Sequence, residues 1–324
     1  MIRIVLVILC LNIYTFAYHI SKISTDLLVS DIILLQNEAL PAENIKKINK
    51  AKITEILLKN CSGVIDQETF KHYPKLQKLT LLKSNIEEIN TPLPLSSLVA
   101  LGSHLPNLND DLQQKLSKVQ AVLLIGNKDF EINVQSLKKF KHLENFFVSQ
   151  ANFSEECVTK DWFREMNSLE GLVLSDVNLI CLAEDAFDSL GRLRFLDLSY
   201  NHLQNLEKKI FKKLTKLEKL ALFENHIDHL DLSVLASQKN HLTKLGISWH
   251  VIKNSGITAE QLLRALPKLS LIDFGKIEMP NDFEAGEFCA VLRQNGASCG
   301  YEAEFGTAKN LGYSYVGYTH CDKL

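Results

Sequence analysis

Apolar residues recur along the chain in one local pattern, apolar-x-x-apolar-x-apolar-x-x-Asn-x-apolar. The clearest copy is Leu193, Leu196, Leu198, Asn201 and Leu203. Eleven copies are found, and they begin at Val29, Ile53, Leu76, Leu95, Val119, Leu143, Leu169, Leu193, Leu217, Leu242 and Leu269. Successive copies are 24, 23, 19, 24, 24, 26, 24, 24, 25 and 27 residues apart. This consensus and period are typical of leucine-rich repeats.

Each copy predicts one structural unit. The residues at offsets 2 to 6 from its first apolar residue alternate between two faces, as in a strand, and offsets 0, 3 and 5 point into a core. One unit cannot bury its apolar side alone, so neighbouring units stack and their strands pair. The predicted fold is an α/β solenoid: a leucine-rich-repeat horseshoe of about eleven repeats, with capped ends and a curved parallel sheet on its concave face. We assign residues 18–28 to an N-terminal cap, 29–280 to the solenoid and 281–324 to a cysteine-containing C-terminal cap.

Offset 8 forms a column of asparagines: Asn37, Asn127, Asn201 and Asn225. A buried amide at this position can bond backbone groups of the neighbouring turn, which would otherwise lack partners. Cys61 and Ser84 occupy the same column. Cys61 is therefore expected to be a structural thiol.

The N-terminus has the features of a signal peptide. Arg3 precedes a mostly apolar run from Ile4 to Phe16, and cleavage is expected before Tyr18, which removes residues 1–17. The alternative is a buried strand or helix. No later run reaches about 18 apolar residues, so no membrane span is expected. The net charge of −2 gives no basic face for nucleic acid. The chain is thus predicted to be secreted.

Six cysteines remain after the predicted cleavage, and an even number suggests disulfides in an oxidising compartment. Cys157 and Cys181 occupy similar offsets, 14 and 12, in adjacent repeats, so we predict that they pair. In the cap, a Cys289–Cys299 disulfide would leave Cys321 for an intermolecular bond. The alternative is Cys289 with Cys321, which leaves Cys299 unpaired.

Two N-glycosylation sequons occur in the mature chain. They are Asn60-Cys61-Ser62 and Asn152-Phe153-Ser154.

Offsets 4 and 6 are predicted to project from the concave face. In the first seven repeats, ten of these fourteen positions are apolar, including Ile33 and Leu35. An exposed strip this apolar exceeds what a monomer usually tolerates, so a protein partner, a lipid-like ligand or a second copy is expected to cover it. Repeats eight to ten add aromatic residues, which are common binding hot spots. The expected partner-binding residues are Leu57, Leu82, Leu101, Leu123, Ile125, Phe147, Val173, Tyr200, Phe223 and Trp249. Two alternatives are a register error in the early repeats and packing by the N-terminal segment.

The sequence contains no catalytic constellation: it has no phosphate-binding glycine loop, no G-x-S-x-G and no H-E-x-x-H. We expect neither enzymatic activity nor a cofactor. His202 and His226 occupy equivalent positions in adjacent repeats and are expected to approach each other. They form either a metal- or pH-sensitive site or a pair of unrelated surface histidines.

The C-terminal segment contains a C-x-x-L-R motif from Cys289 to Arg293, a further cysteine at Cys299, and a Gly/Tyr-rich stretch from Leu311 to Cys321. This arrangement resembles the cap of the mosquito leucine-rich immune proteins, whose Gly/Tyr-rich segment ends in cysteines. The chain ends close to Cys321, without the family's coiled coil, and has one cysteine where the family often has two. It is therefore similar to a coil-less member.

This resemblance implies an innate-immune recognition or scaffold protein of haemolymph. Its implied partner is a complement-like thioester protein or another leucine-rich-repeat chain. Two alternative functions remain open: a general extracellular adhesion or receptor-ligand module, and a carrier of a hydrophobic ligand.

Overall fold

The structure is a computed structural model that describes residues 32–37, 39–40, 50–127, 129–274, 283–300, 306–308 and 313–315. The predicted signal peptide, the predicted N-terminal cap and Cys321 lie outside the described residues.

A twelve-stranded parallel sheet dominates the molecule, and its strand order follows the chain order. Each strand therefore pairs with the strand of the next repeat, which confirms the predicted solenoid. The strands are β1 (Ile32–Gln36), β2 (Glu55–Lys59), β3 (Lys78–Leu82), β4 (Ser97–Leu101), β5 (Ala121–Ile125), β6 (Asn145–Ser149), β7 (Gly171–Ser175), β8 (Phe195–Asp197), β9 (Lys219–Ala221), β10 (Lys244–Gly246), β11 (Leu271–Asp273) and β12 (Ser298–Gly300). The last strand comes from the segment assigned to the C-terminal cap.

The return segments carry short strands and helices. Small parallel sheets join Ala39–Leu40, Ser62–Ile65 and Asn85–Ile89; Glu131–Ile132 and Asn152–Phe153; and Cys157–Val158 and Cys181–Leu182. Gly306–Ala308 pairs antiparallel with Tyr313–Tyr315. The helices are α1 (Gln67–Phe70), α2 (Asp110–Lys115), α3 (Val134–Leu137), α4 (Trp249–Asn254), α5 (Ala259–Ala265) and α6 (Phe283–Gln294), with 3-10 turns at Lys50–Lys52 and Leu232–Gln238.

Local side-chain bonds fix where these helices begin. Asp66 accepts the Thr69 backbone amide at 3.0 Å, and the Thr69 hydroxyl accepts the Asp66 amide at 3.0 Å. Thr258 and Gln261 form the same reciprocal capping box before α5. Because these bonds satisfy amides at the start of the helix, they stabilise even short helices on the return side.

A continuous core lies between the sheet and the return segments. Offsets 0, 3 and 5 are buried there, as in Leu193, Leu196 and Leu198, each 0% exposed. On the return side, the ring centroids of Phe163, Phe187 and Phe211 are separated by 6.2 and 6.3 Å in a stacked row. Each phenylalanine belongs to a different repeat, so the row ties neighbouring repeats together.

The offset-8 column satisfies backbone groups between repeats. The Asn201 Oδ1 accepts the amides of Val177 and Leu179 at 3.2 and 3.0 Å, and its Nδ2 donates to the Leu174 carbonyl at 2.7 Å. The buried Cys61 thiol donates to the Leu35 carbonyl at 3.4 Å. It forms no disulfide within the described part of the chain, in agreement with a structural thiol.

The first repeat begins one residue later than the sequence pattern indicates. Ile33 aligns with Ile56 and is 2% exposed in the core, whereas Leu34 aligns with Leu57 on the opposite face. Leu35 packs against the core, so the expectation that Ile33 and Leu35 face the concave side is wrong. The run Ile32–Leu35 is entirely apolar and has no alternation that could fix its register. Pairing with β2 fixes it instead.

Asn37 is displaced by the same one-residue shift. Its Oδ1 accepts a hydrogen bond from Asn60 Nδ2 at 3.2 Å, and the two residues have φ values of 58° and 51°. Asn37 therefore belongs to offset 7 and not to the asparagine column.

Offset 7 adopts the left-handed conformation in nine successive repeats, with φ between 47° and 69°. The residues are Asn37, Asn60, Lys83, Gly102, Gly126, Gln150, Asp176, Tyr200 and Glu224. This turn carries the chain from the strand into the offset-8 column. It also places nine side-chain positions in a row along the carboxyl edge of the sheet.

Candidate functional site: the concave face

The concave face is the side of the main sheet opposite the core, formed by offsets 2, 4 and 6. The sequence pattern identified offsets 4 and 6 but missed offset 2. Offset 2 contributes Phe195 and the aligned lysines Lys219 and Lys244. If the in-and-out alternation is extended by two residues toward the amino end of each strand, offset 2 also falls on this face.

Two apolar clusters cover much of this face. One contains Leu57, Leu82, Val99, Leu101 and Ile125, and the other contains Phe147, Val173, Phe195, Ala221 and Phe223. Leu123 packs against both clusters. The structure thus brings together the apolar residues expected on this face, except Ile33, Leu35 and Trp249, which pack in or against the core.

These apolar side chains are largely screened from solvent. Members of the two clusters are 0–9% exposed, and Leu123 is half-buried. The rings of Phe147 and Phe195 meet edge to face at 6.0 Å. The strip is therefore a packed second layer rather than an open apolar surface. The number of apolar residues in the sequence did not reveal this packing, because the screening depends on contacts between adjacent repeats.

Two glycines make room for the aromatic rings of this layer. A Cβ on Gly171 would lie 2.8 Å from the Phe147 ring, and a Cβ on Gly246 would lie 2.3 Å from the Phe223 ring. The distal end of each phenylalanine ring therefore lies against the glycine of the next repeat.

We predict that Gly246→Ala lowers the free energy of unfolding by about 1–3 kcal/mol, because the Phe223 ring must leave its site. Urea unfolding measures this loss. Gly191→Ala is the control, since a Cβ on Gly191 meets no atom within 4 Å. Equal stability of the two variants would contradict the packing described for Phe223.

Trp249 does not lie on the concave face, contrary to the sequence expectation. It is the first residue of α4, it is 7% exposed, and its ring packs against Phe274 at 5.2 Å and Phe288 at 5.4 Å. The strand ends at Gly246 and Ser248 occupies the N-cap position of α4, so the chain turns before Trp249 and directs its side chain into the core.

Two buried aspartates occupy the polar part of the face. Asp197, Ala221, Gly246 and Asp273 align across four strands, and both aspartates are 2% exposed. The Ser199 backbone amide donates to Asp197 Oδ1 at 2.8 Å. Burial nevertheless raises the pKa of Asp197 to about 6, because a desolvated carboxylate is costly.

Positive charge collects at the amino ends of these strands. Lys219 and Lys244 align directly and are half-buried. Burial, together with the charge of Lys244, lowers the pKa of Lys219 to about 8. Arg194 forms an ion pair with Glu218 at 2.6 Å on the same edge.

Negative charge collects at the opposite, carboxyl edge. Asp176 and Glu224 are exposed at offset 7, on either side of the half-buried Tyr200. Burial, followed by the charges of Glu224, Asp197, Asp273 and Asp176, raises the pKa of Tyr200 to about 12. The concave face of repeats seven to ten therefore has a positive and a negative side.

A groove of about 510 Å³ lies further along the carboxyl edge, beside β3 to β5. It is centred on Gly102 and Gly126, which have no side chains at offset 7. Its lining residues are Lys83, Ser84, Asn85, Gly102, Ser103, His104, Gly126, Asn127, Asp129 and Phe130.

His202 and His226 approach each other as expected, with ring centroids 5.2 Å apart, and both are exposed. Among the residues that the structure describes, no group of three His, Cys, Asp or Glu side chains is placed to hold a metal ion.

Two disulfides lie within the part of the chain that the structure describes. Cys157–Cys181 joins adjacent repeats with a Cα–Cα distance of 4.7 Å, and Cys289–Cys299 joins α6 to β12 at 5.4 Å. The Cys289–Cys299 disulfide is the predicted cap pairing, and it leaves Cys321 for an intermolecular bond. The sequon residues Asn60 and Asn152 are both exposed, and their glycosylation stays a prediction.

Comparison with known proteins agrees with this architecture. A family model for the leucine rich repeat matches residues 156–203. No curated protein matches the chain.

Three solved structures are similar in fold. TLR13, from a complex with ssRNA13, has a TM-score of 0.60 and 19% identity over 83% of this chain, which spans 42% of that chain. A chain from the octameric complex of Latrophilin 3, Unc5D and FLRT2 (LRR) has a TM-score of 0.54 and 16% identity, and the match covers 82% of this chain and 89% of that one. A Leptospira interrogans leucine-rich-repeat protein has a TM-score of 0.52 and 18% identity, with 77% and 60% covered.

The chain therefore folds as a leucine-rich-repeat solenoid. In the described part of the chain, no helix has both the length and the apolar character needed to cross a membrane.

Proposed function

We propose that this protein is an extracellular recognition protein that binds another protein through its concave face. The observation that carries the proposal is the layout of that face: a packed apolar layer continues into a surface with opposite charges on its two edges. Such a surface fits a protein partner, because charge complementarity orients the partner and selects it. The two disulfides support an oxidising, extracellular location.

The innate-immune role is the finer part of this proposal. It rests on the resemblance of the C-terminal segment, and a complement-like thioester protein or another leucine-rich-repeat chain is the implied partner. Among the structures similar in fold, TLR13 was solved with an RNA, and FLRT2 is named in a complex with two other proteins. Asp197 and Asp273 lie in the same strand row as the strands that carry Lys219 and Lys244. Because their carboxylates would repel phosphates, we favour a protein ligand over a nucleic acid.

A rise of the transcript after infection is expected, and an unchanged level would contradict the immune role.

A hydrophobic-ligand carrier is a less suitable function. The apolar residues of the concave face pack against one another and are 0–9% exposed, apart from Leu123. They leave little open apolar area against which a lipid-like molecule could lie.

The expected effect of Leu123→Asp tests the proposed site. Leu123 is half-buried at the junction of the two clusters, so a carboxylate there would remain hydrated but would repel an apolar partner surface. We expect partner affinity to fall by about tenfold or more, as for a hot-spot residue, while circular dichroism stays unchanged. Crosslinking in extracellular fluid, followed by mass spectrometry, identifies the partner, and titration gives its affinity.

Ile180→Asp is the matched control, because Ile180 is 47% exposed outside the main sheet. Equal partner affinity of the two variants would contradict binding through the concave face. If Leu123→Asp unfolds, Lys244→Glu tests the same face from its charged half.

A further inference from the structure

Unpartnered polar atoms lie under the carboxyl edge of the concave face. Ser149 and Ser175 are each 1% exposed, and neither hydroxyl has a hydrogen-bond partner. The Gln150 Oε1 atom is also buried and has no hydrogen-bond partner. In the neighbouring offset-8 column, the hydroxyls of Ser84 and Ser103 do have partners. Because native proteins pair the great majority of buried polar atoms, the unpartnered atoms of this edge point to a ligand.

The repeat geometry gathers these atoms at one place. Ser149 aligns with Ser175 across the β6–β7 pair, and both occupy offset 6 on the concave side. Each is followed by a residue in the left-handed conformation, Gln150 and Asp176, and Tyr200 and Glu224 continue that row. We call these six residues the acceptor corner: Ser149, Gln150, Ser175, Asp176, Tyr200 and Glu224.

The corner is rich in acceptors and carries negative charge. Asp176 and Glu224 are exposed carboxylates, which only accept hydrogen bonds. Lys219 lies at the amino end of its strand, five residues before Glu224, which is about 16 Å along an extended chain. The positive charge of Lys219 therefore lies at the opposite, amino edge of the face.

We infer that the acceptor corner binds an arginine side chain of the protein partner. This inference rests on the proposed function and names the chemistry of the partner. A guanidinium has five N–H donors and no acceptor, so it complements the exposed carboxylates of Asp176 and Glu224, under which the unpartnered oxygens of Gln150 and Ser175 lie. Its plane also stacks on an aromatic ring, here that of Tyr200. A lysine ammonium has three donors and no plane, and it fits the corner less well.

The test compares three peptides that differ at one residue. Gly/Ser peptides carrying arginine, lysine or citrulline are displayed densely on a sensor, and binding of the full-length protein is measured. Citrulline keeps the shape of arginine but has no charge. We expect the arginine peptide to bind about fivefold or more tightly than the citrulline peptide, with lysine between them, and we expect added salt to weaken the arginine complex.

Variants assign the binding to the corner. Asp176→Asn combined with Glu224→Gln is expected to weaken arginine-peptide binding by about fivefold. Glu165→Gln combined with Asp188→Asn makes the same change in net charge on exposed return-segment positions and should have no effect. Tyr200→Phe should retain binding, whereas Tyr200→Leu should weaken it.

The outcomes separate this inference from the proposed function. Equal binding of the arginine and citrulline peptides, or equal losses in the two charge-matched double variants, would overturn the arginine site. If Leu123→Asp still abolishes partner binding in that case, the proposed function stands and the inference alone fails. If the arginine peptide binds at the corner but partner affinity is unaffected by concave-face variants, the proposed function fails instead.

Discussion

Phe187→Ala is expected to lower the free energy of unfolding by about 3–5 kcal/mol. Phe187 is 0% exposed, and its ring stacks between Phe163 and Phe211 at 6.2 and 6.3 Å. Truncation removes a buried ring and leaves a cavity that two rigid neighbours cannot fill. Because a solenoid's stability depends on contacts between adjacent repeats, the loss should appear in repeats six to eight.

Urea unfolding followed by circular dichroism measures the global change, and hydrogen exchange of β6, β7 and β8 measures the local one. Ile180→Ala is the control, since Ile180 is 47% exposed. A loss below about 1 kcal/mol, the usual scale of a surface substitution, would show that the stacked row does not hold these repeats together.

Asn201→Ala is expected to cost on the order of 3 kcal/mol. The side chain accepts the amides of Val177 and Leu179 and donates to the carbonyls of Leu174 and Leu198, all within 2.7–3.2 Å. Asn201 itself is 2% exposed. Alanine would remove the side-chain partner of the buried Val177 and Leu179 amides, which costs more than the bonds contribute, whereas the Leu198 carbonyl keeps a bond from Asn225 Nδ2 at 3.0 Å.

His202→Ala is the control for this variant, because His202 is the next residue and its side chain is exposed. Thermal unfolding and amide exchange at Val177 and Leu179 are the measurements. Unchanged exchange at both amides in Asn201→Ala would mean that the asparagine column is not their main protection.

The sequence located the repeat and most of its core because both depend on local periodicity. Leu193, Leu196 and Leu198 are buried where the pattern places them. The spacing of Cys157 and Cys181 likewise indicated a pair, which the structure joins at a Cα–Cα distance of 4.7 Å. In a solenoid, equivalent positions of adjacent repeats become neighbours, so sequence spacing alone predicts that contact.

The concave face was less predictable. Its apolar residues were identified, but their number suggested an open strip, whereas the rings of Phe147 and Phe223 pack against Gly171 and Gly246 of the following repeats. Phe195 was missed because offset 2 was not considered part of the face. Trp249 was misplaced because the strand before it has three residues and ends at Gly246. The strands of the first repeats have five residues and end two positions later in the repeat.

By itself, the sequence determined the solenoid, its period, its core and the polar column at offset 8, because each follows from the residue types within a single repeat. The tertiary structure decided the register of the first repeat, the inward turn of Trp249, the closure of the apolar layer and the gathering of Ser149, Ser175 and Tyr200 at one edge. Those features depend on side chains about 24 residues apart meeting across a strand spacing of about 4.8 Å, and their rotamers and packing are settled only when the repeats stack.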